Sequence, residues 1–231
     1  MWRRDFLQTV GGIAAATTVF AGAAAASHPD SQSDHVTRSY DEDLLQRYQP
    51  LLVTEHLDIL PSGIYGQWTT SPEHETAVGV YFCEYPAQEA LTSEDSHFGD
   101  HEPIYVFVDE ETGDIDHVAY TGYHWLKAMT TTAPVFDDDR PKFRVVKPYH
   151  HYIVTTSEGV DVELKNLVDN YDDWLSEGLE SAIYPGAVYN PWSIQTRESW
   201  WQRGTFGISV VETWWSAMHS FGLRGADKTD L

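Results

Sequence analysis

The chain reads as a mainly β protein with flanking helices, an α+β arrangement whose body is a single-domain β-sandwich. Three observations carry this reading. Apolar runs of strand length recur at Ala77 to Tyr85, Pro103 to Asp109 and Asp116 to Thr121, and the last two are joined by Glu110-Glu111-Thr112-Gly113-Asp114, a hairpin-like turn. Helical spacing lies toward the two ends, at Asp41 to Val53 and Lys165 to Leu179. No internal repeat or linker divides the chain, so one domain over 40–231 is the economical count.

The elements follow in order. Met1-Trp2-Arg3-Arg4-Asp5-Phe6-Leu7-Gln8 is a twin-arginine signal, and an alanine-rich apolar stretch from Val10 to Ala26 closes on a small-residue cleavage site near Ala24-x-Ala26. The stretch is short for a membrane span and no cysteine follows it to carry a lipid, so export with cleavage after residue 26 is expected, an uncleaved anchor being the alternative. Residues 27–39 are polar and read as a flexible tail. The first helix has Leu44, Leu45 and Tyr48 on one face, acidic residues near its start and Pro50 to end it. Thr130 to Pro141 is a loop, Phe143 to Thr156 a long strand broken at Pro148, and Val160 to Leu164 its hairpin partner. The second helix presents Leu167, Val168, Tyr171, Trp174 and Leu175. The segment from Thr205 to Leu223 is apolar.

Charge bounds the setting. The formal net charge is −22, and removing the leader leaves 12 Lys and Arg against 35 Asp and Glu in 205 residues, or −23. A hydrophobic content of 42% with 13 tyrosines excludes disorder as the cause. Such a surface repels phosphate backbones, so nucleic acid is excluded as a partner. Only five lysines occur, and with the leader the composition points to a halophilic, extracellular protein. Cys83 is the single cysteine, which rules out an intramolecular disulfide, and its apolar strand predicts an inert buried thiol.

The chemistry concentrates in His97-Phe98-Gly99-Asp100-His101-Glu102. Histidine, aspartate and glutamate at i, i+3 and i+5 form a mixed nitrogen and oxygen ligand set that suits one divalent cation. Gly99 would supply the bend of a metal-binding loop at one end of the sheet, with Pro103 starting the strand behind it. If Asp100 and Glu102 face the cation, alternation sends His101 to the other side, in a structural role.

This pattern resembles the Gly-His-Arg-His-Asp-Trp-Glu heptapeptide of the necrosis- and ethylene-inducing-peptide-like proteins, a secreted group that includes plant cytolysins. His97, Asp100 and Glu102 match its first histidine, aspartate and glutamate. The resemblance implies that these are metal ligands, joined by an acidic residue eight positions upstream of the histidine, here Glu89. It also matches His124, in Tyr120-Thr121-Gly122-Tyr123-His124, to a Ser-x-His-Gly stretch, and points to a β-sandwich. The similarity covers Pro50 to Lys127. Gly99 and His101 replace a histidine and a tryptophan, Ser96 replaces a glycine, and the disulfides of the cytolysins are missing.

With three carboxylates the implied site favours magnesium or calcium, with zinc or manganese as the alternative suggested by His97. The antiparallel hairpin expected of Pro103 to Asp109 and Asp116 to Thr121 would bring His124 level with the metal loop, where it orients a ligand or transfers a proton. Two function classes follow. In one, the cation site binds a polar small molecule, glycan or lipid headgroup, with a membrane surface as a partner of the resembled cytolysins. In the other, a metal-dependent extracellular hydrolase uses a cation-activated water with His124 or Glu55 as base. The first is favoured because no separate acid/base pair is identifiable.

Other candidates have plainer explanations. Adjacent His150 and His151 face opposite sides of a strand, one solvated and one packed. Asp137-Asp138-Asp139 is a solvated charge run before it is a calcium site. Trp200-Trp201 and Trp214-Trp215 are core before they are a sugar or membrane platform. No Gly-x-Ser-x-Gly, phosphate loop or His-Glu-x-x-His occurs.

The carboxylate surplus generates one prediction. Screening at about 1 M salt shortens the Debye length to roughly 3 Å and removes most self-repulsion. Circular dichroism should therefore show the melting temperature falling steadily on dilution to low salt; an unchanged melt would refute halophily.

Overall fold

The computed structural model describes residues 35–88, 97–123, 126–131, 139–177, 186–197 and 200. The leader, Glu89, His124, Asp137, Asp138, Trp201, Trp214 and Trp215 lie outside the described residues.

Two sheets form the sandwich. The larger has seven strands in the order β1-β3-β4-β5-β6-β7, with β10 also pairing β3. These are β1 (Thr37–Ser39), β3 (Gly63–Thr70), β4 (Thr76–Gln88), β5 (His97–Asp109), β6 (Ile115–Tyr123), β7 (Leu126–Thr130) and β10 (Leu164–Asn166). The smaller has β2 (Leu51–Val53), β8 (Lys142–Val146) and β9 (His151–Val154), in the order β2-β8-β9. Helices α1 (Glu42–Tyr48) and α2 (Tyr171–Glu177) flank them.

The large sheet is buried on both faces, because successive side chains of a strand point to opposite sides. Ile104, Val106 and Val108 of β5 join Phe143, Val145 and Tyr152 of the small sheet in one core cluster. Tyr105 and Phe107 join Trp174 of α2 and Ala187, Val188, Trp192 and Ile194 in a second. The covering segment is fixed by polar bonds as well. Gln67 Nε2 donates to Val188 O at 2.6 Å, Trp192 Nε1 to Thr76 at 3.0 Å and Lys127 Nζ to Gln195 O at 2.6 Å.

The expected hairpin is present. β6 runs antiparallel to β5 with Ile104 opposite Tyr120 and Phe107 opposite His117. The Asp109 carboxylate accepts from the Glu111 and Thr112 N–H groups and so builds the turn. Asp41 caps α1 by accepting from Leu44 N–H at 3.0 Å. Tyr81 and Tyr48 then tie the helix down, donating to Leu45 O and Gly113 O at 2.8 Å.

Five boundaries differ from the sequence reading. Residues 37–39 are not tail but the edge strand β1, antiparallel to β3, with Val36 buried beside it. The first helix stops before Pro50, as expected, but Leu51–Val53, within its helical spacing, is a strand that pairs parallel with β8. Gly63–Thr70 is a strand that the sequence reading lacks. Val160 bridges Leu52, not β9. The stretch before α2 begins as β10, parallel to β3, so helix starts only at Tyr171. The break at Pro148 is as expected, since Lys147–Pro148 is a cis peptide in the turn between β8 and β9.

Lys165 of β10 reaches Glu84 of β4, crossing Gly63, where a Cβ would lie 2.4 Å from the Lys165 chain. Burial raises the Glu84 pKa, but the Lys165 hydrogen bond and charge outweigh it and leave the group below its ordinary value of 4.5. A depressed carboxylate adds stability above its unfolded pKa and loses it as pH falls through the folded one. Lys165→Met should therefore lower stability at pH 7 by about 1–2 kcal/mol, between the exposed and buried pair limits. It should also flatten the loss of stability below pH ~4.5 in denaturant titrations; an unchanged acid limb would show the pair to be idle.

Candidate cation and ligand site

The six chemically loaded residues are not a loop. They are the first half of β5, paired with the end of β4: Cys83 faces Glu102, Glu84 faces His101, Tyr85 faces Asp100 and Ala87 faces Phe98. Gly99 does supply an unusual conformation, with φ of 71°, but inside a strand. The register passes it opposite Pro86, which has no N–H to offer a ladder.

Alternation then sorts the side chains. Asp100 and Glu102 lie on the face toward the small sheet, at 7% and 2% exposure. His101 points the other way, stacked on Trp174 at 5.7 Å with Tyr65 at its edge, as the alternation argument required.

The small sheet supplies the rest of the site. His150 ends the turn after β8 with φ of 51°, and its Nδ1 lies 2.8 Å from Asp100 Oδ2. Its ring stacks on Tyr85 at 4.0 Å and 7°. Tyr152 donates to Glu102 O at 3.3 Å. Burial, opposed by hydrogen bonds from Tyr85 and Tyr152 and aided by the charges of Asp100 and Glu102, pushes the Cys83 thiol up to about 12. Burial likewise holds Tyr85 and Tyr152 well above 10. The two carboxylates therefore share their surroundings with groups that stay neutral at physiological pH.

Among the described residues, no set of three or more His, Cys, Asp and Glu side chains is grouped to hold a metal. The structure pairs Asp100 with His150 and puts Glu102 on the same face of β5 as Asp100. His97 begins β5 opposite Gln88, and its side chain, like Glu89 and His124, lies outside the described residues. Glu55 is exposed in the turn after β2.

His150 is the residue that sequence reasoning undervalued. Both histidines of the pair are buried, at 5% and 1%, so neither is solvated. They do diverge, His150 toward Asp100 and His151 edge-on to Tyr123 at 5.3 Å. The usable signal was the proline two residues before His150, which forces a turn there. Asp139 is engaged by Arg47 at 2.6 Å, and Trp200 is fully buried against Tyr105.

A sandwich of this kind is the fold of a necrosis and ethylene inducing protein. The chain is similar to necrosis and ethylene inducing protein 2 from the causal agent of cocoa's witches' broom disease, at 16% identity over 71% of this chain and 93% of that one, with a TM-score of 0.51. It is also similar to NLPPya in complex with mannosamine, at 17% identity over 59% and 89%, TM-score 0.44. No protein-family model matches the sequence, and no curated protein matches it.

The environment of Cys83 yields a prediction. A thiol titrating near 12 and fully buried should not react with a disulfide reagent at pH 8 in the native protein, and should react fully after denaturation. Rapid native labelling would mean that the carboxylate face opens to solvent.

Proposed function

We propose that this chain is an exported binding protein that takes a polar headgroup or glycan at a divalent cation held by the Asp100 and Glu102 carboxylates. The observation that carries the reading is that pair: two acidic side chains, both more than nine-tenths buried, on one face of one strand. Burying a carboxylate costs several kcal/mol, and a second one nearby adds repulsion. A hard cation offsets both through carboxylate and water oxygens, which favours magnesium or calcium over zinc or manganese.

The donors are preorganised. His150 holds Asp100 from the adjoining turn, and Tyr152 holds the backbone of Glu102. Resemblance to the cytolysin heptapeptide supports Glu89 and His97 as the remaining ligands and His124 as a contact to the bound molecule. When loaded, the cation supplies a Lewis-acidic point for ligand oxygens. The fold itself does not fix the function. The twin-arginine leader and the acid surplus support export into concentrated salt.

Protein purified in molar salt should retain stoichiometric divalent metal by elemental analysis, and chelation should lower its melting temperature. Asp100→Asn and Glu102→Gln should each weaken metal binding at least tenfold, and His150→Gln about tenfold as a positioning residue. Protein that holds no metal and whose melt ignores added magnesium, calcium, manganese and zinc would sink the reading.

A further inference from the structure

Cations are scarce in this chain, and Arg47, Arg140, Lys147 and Lys165 each meet a carboxylate, on Asp139, Asp161, Asp58 and Glu84. Arg38 meets none among the described residues, in a sequence with 36 Asp and Glu. It stands in β1 opposite Thr69 of β3, so its side chain shares the face of Gln67 and Thr69. That face is the one covered by α2 and residues 186–197, on the other side of the large sheet from Asp100 and Glu102.

The Arg38 guanidinium is held in place without being satisfied. Its Cζ lies over the Tyr189 ring, 4.2 Å from the centroid. Nη1 donates to Gln67 Oε1 at 3.4 Å, a long bond to an amide that is itself anchored on Val188 O. Nε is buried and has no hydrogen-bond acceptor. Burial lowers the Arg38 pKa, and the neighbours that oppose it are the phenols of Tyr189 and Tyr171, not an acid. A guanidinium carries five N–H donors and matches a carboxylate with two parallel bonds. One long bond and one ring leave most of that capacity unused. A cation that has lost part of its hydration without gaining an anion is completed by an anion from outside.

The surroundings select the anion. A lone cation on a chain of net charge −22 admits a single negative charge more readily than the nearly double charge of a phosphate. A halide would supply the charge but would not match the fork of the guanidinium. Tyr189 and Tyr171, half-buried with ring centroids 5.5 Å apart, add an aromatic wall beside the cation. We propose that Arg38, Tyr189 and Tyr171 form a second ligand site, which takes an aromatic monocarboxylate. The carboxylate accepts from the Arg38 guanidinium, and the ring of the ligand rests against the two tyrosines. This site goes beyond the cation reading and stands independently of it, because the sheet separates the two.

Calorimetric titration in molar potassium chloride tests it, with benzoate, benzamide and acetate as probes and chloride in excess as the competing halide. Benzoate should bind at least about tenfold tighter than benzamide, its uncharged counterpart, and at least about tenfold tighter than acetate, which lacks the ring. Arg38→Met should erase the preference over benzamide. Arg38→Lys keeps the charge and loses the fork, and should weaken benzoate about tenfold. Tyr189→Leu should bring benzoate down toward acetate. Circular dichroism should show the variants folded, and for the wild-type protein the melting temperature should rise with benzoate and not with benzamide. Benzoate bound no tighter than benzamide or than acetate overturns the proposal. So does a preference for benzoate that survives Arg38→Met, or Arg38→Lys binding benzoate as tightly as the wild type.

Discussion

The ladder between β4 and β5 is the constraint on which everything else depends. It runs unshifted from Thr76 opposite Asp109 to Gln88 opposite His97, so the parity of one residue sets the face of all the others. Val106 and Ile104 are committed to the core shared with the small sheet, and Tyr105 and Phe107 to the core under α2. Each buried side chain of that size contributes about 1.5–3 kcal/mol, so a one-residue slip would exchange two complete apolar sets and is strongly disfavoured. That same parity carries on into the acidic end of β5. Asp100 and Glu102 are buried on their face because Ile104 and Val106 are buried on it.

The two faces treat ionisable groups differently at that end. On one, His101 sits between Trp174 and Tyr65, and Glu84 beside it has Lys165 as a cationic partner. On the other, the described ion partner of Asp100 is an imidazole, His150, held in place by stacking on Tyr85. A permanent cation on the first face makes a fixed structural pair. On the second, an imidazole stacked on a tyrosine fixes the orientation of the Asp100 carboxylate through one hydrogen bond.

What the sequence made legible follows the reach of each interaction. The apolar runs of β4, β5 and β6 declare themselves because burial on both faces demands continuous hydrophobicity. The common face of Asp100 and Glu102, and the opposite face of His101, follow from a two-residue period alone. β3 escaped because Gly63, Gly66 and Gln67 break its pattern; Gly66 must admit Leu164 closely, and Gln67 is buried only because Val188 accepts from it. β2 escaped because Leu51 to Val53 continues the apolar spacing of α1, and the pairing with β8 that decides its form lies about ninety residues away. His150 reaches Asp100 across fifty residues through a turn whose positive φ no local pattern announces.

The ladder is weakest by construction just before Asp100. Between the pairs Tyr85–Asp100 and Ala87–Phe98 it passes over Pro86, which cannot donate, and Gly99, whose φ of 71° is closed to most residues. Beyond that point Phe98 is 91% exposed, whereas Asp100 on the same face is buried. The boundary between covered and open sheet therefore falls between two successive residues of one face, at Gly99. A side chain added there would be strained whatever space it found, so the glycine is required by the backbone and not by packing. The resembled heptapeptide has histidine at this position. The histidine that meets Asp100 in this chain comes instead from the turn between β8 and β9, as His150.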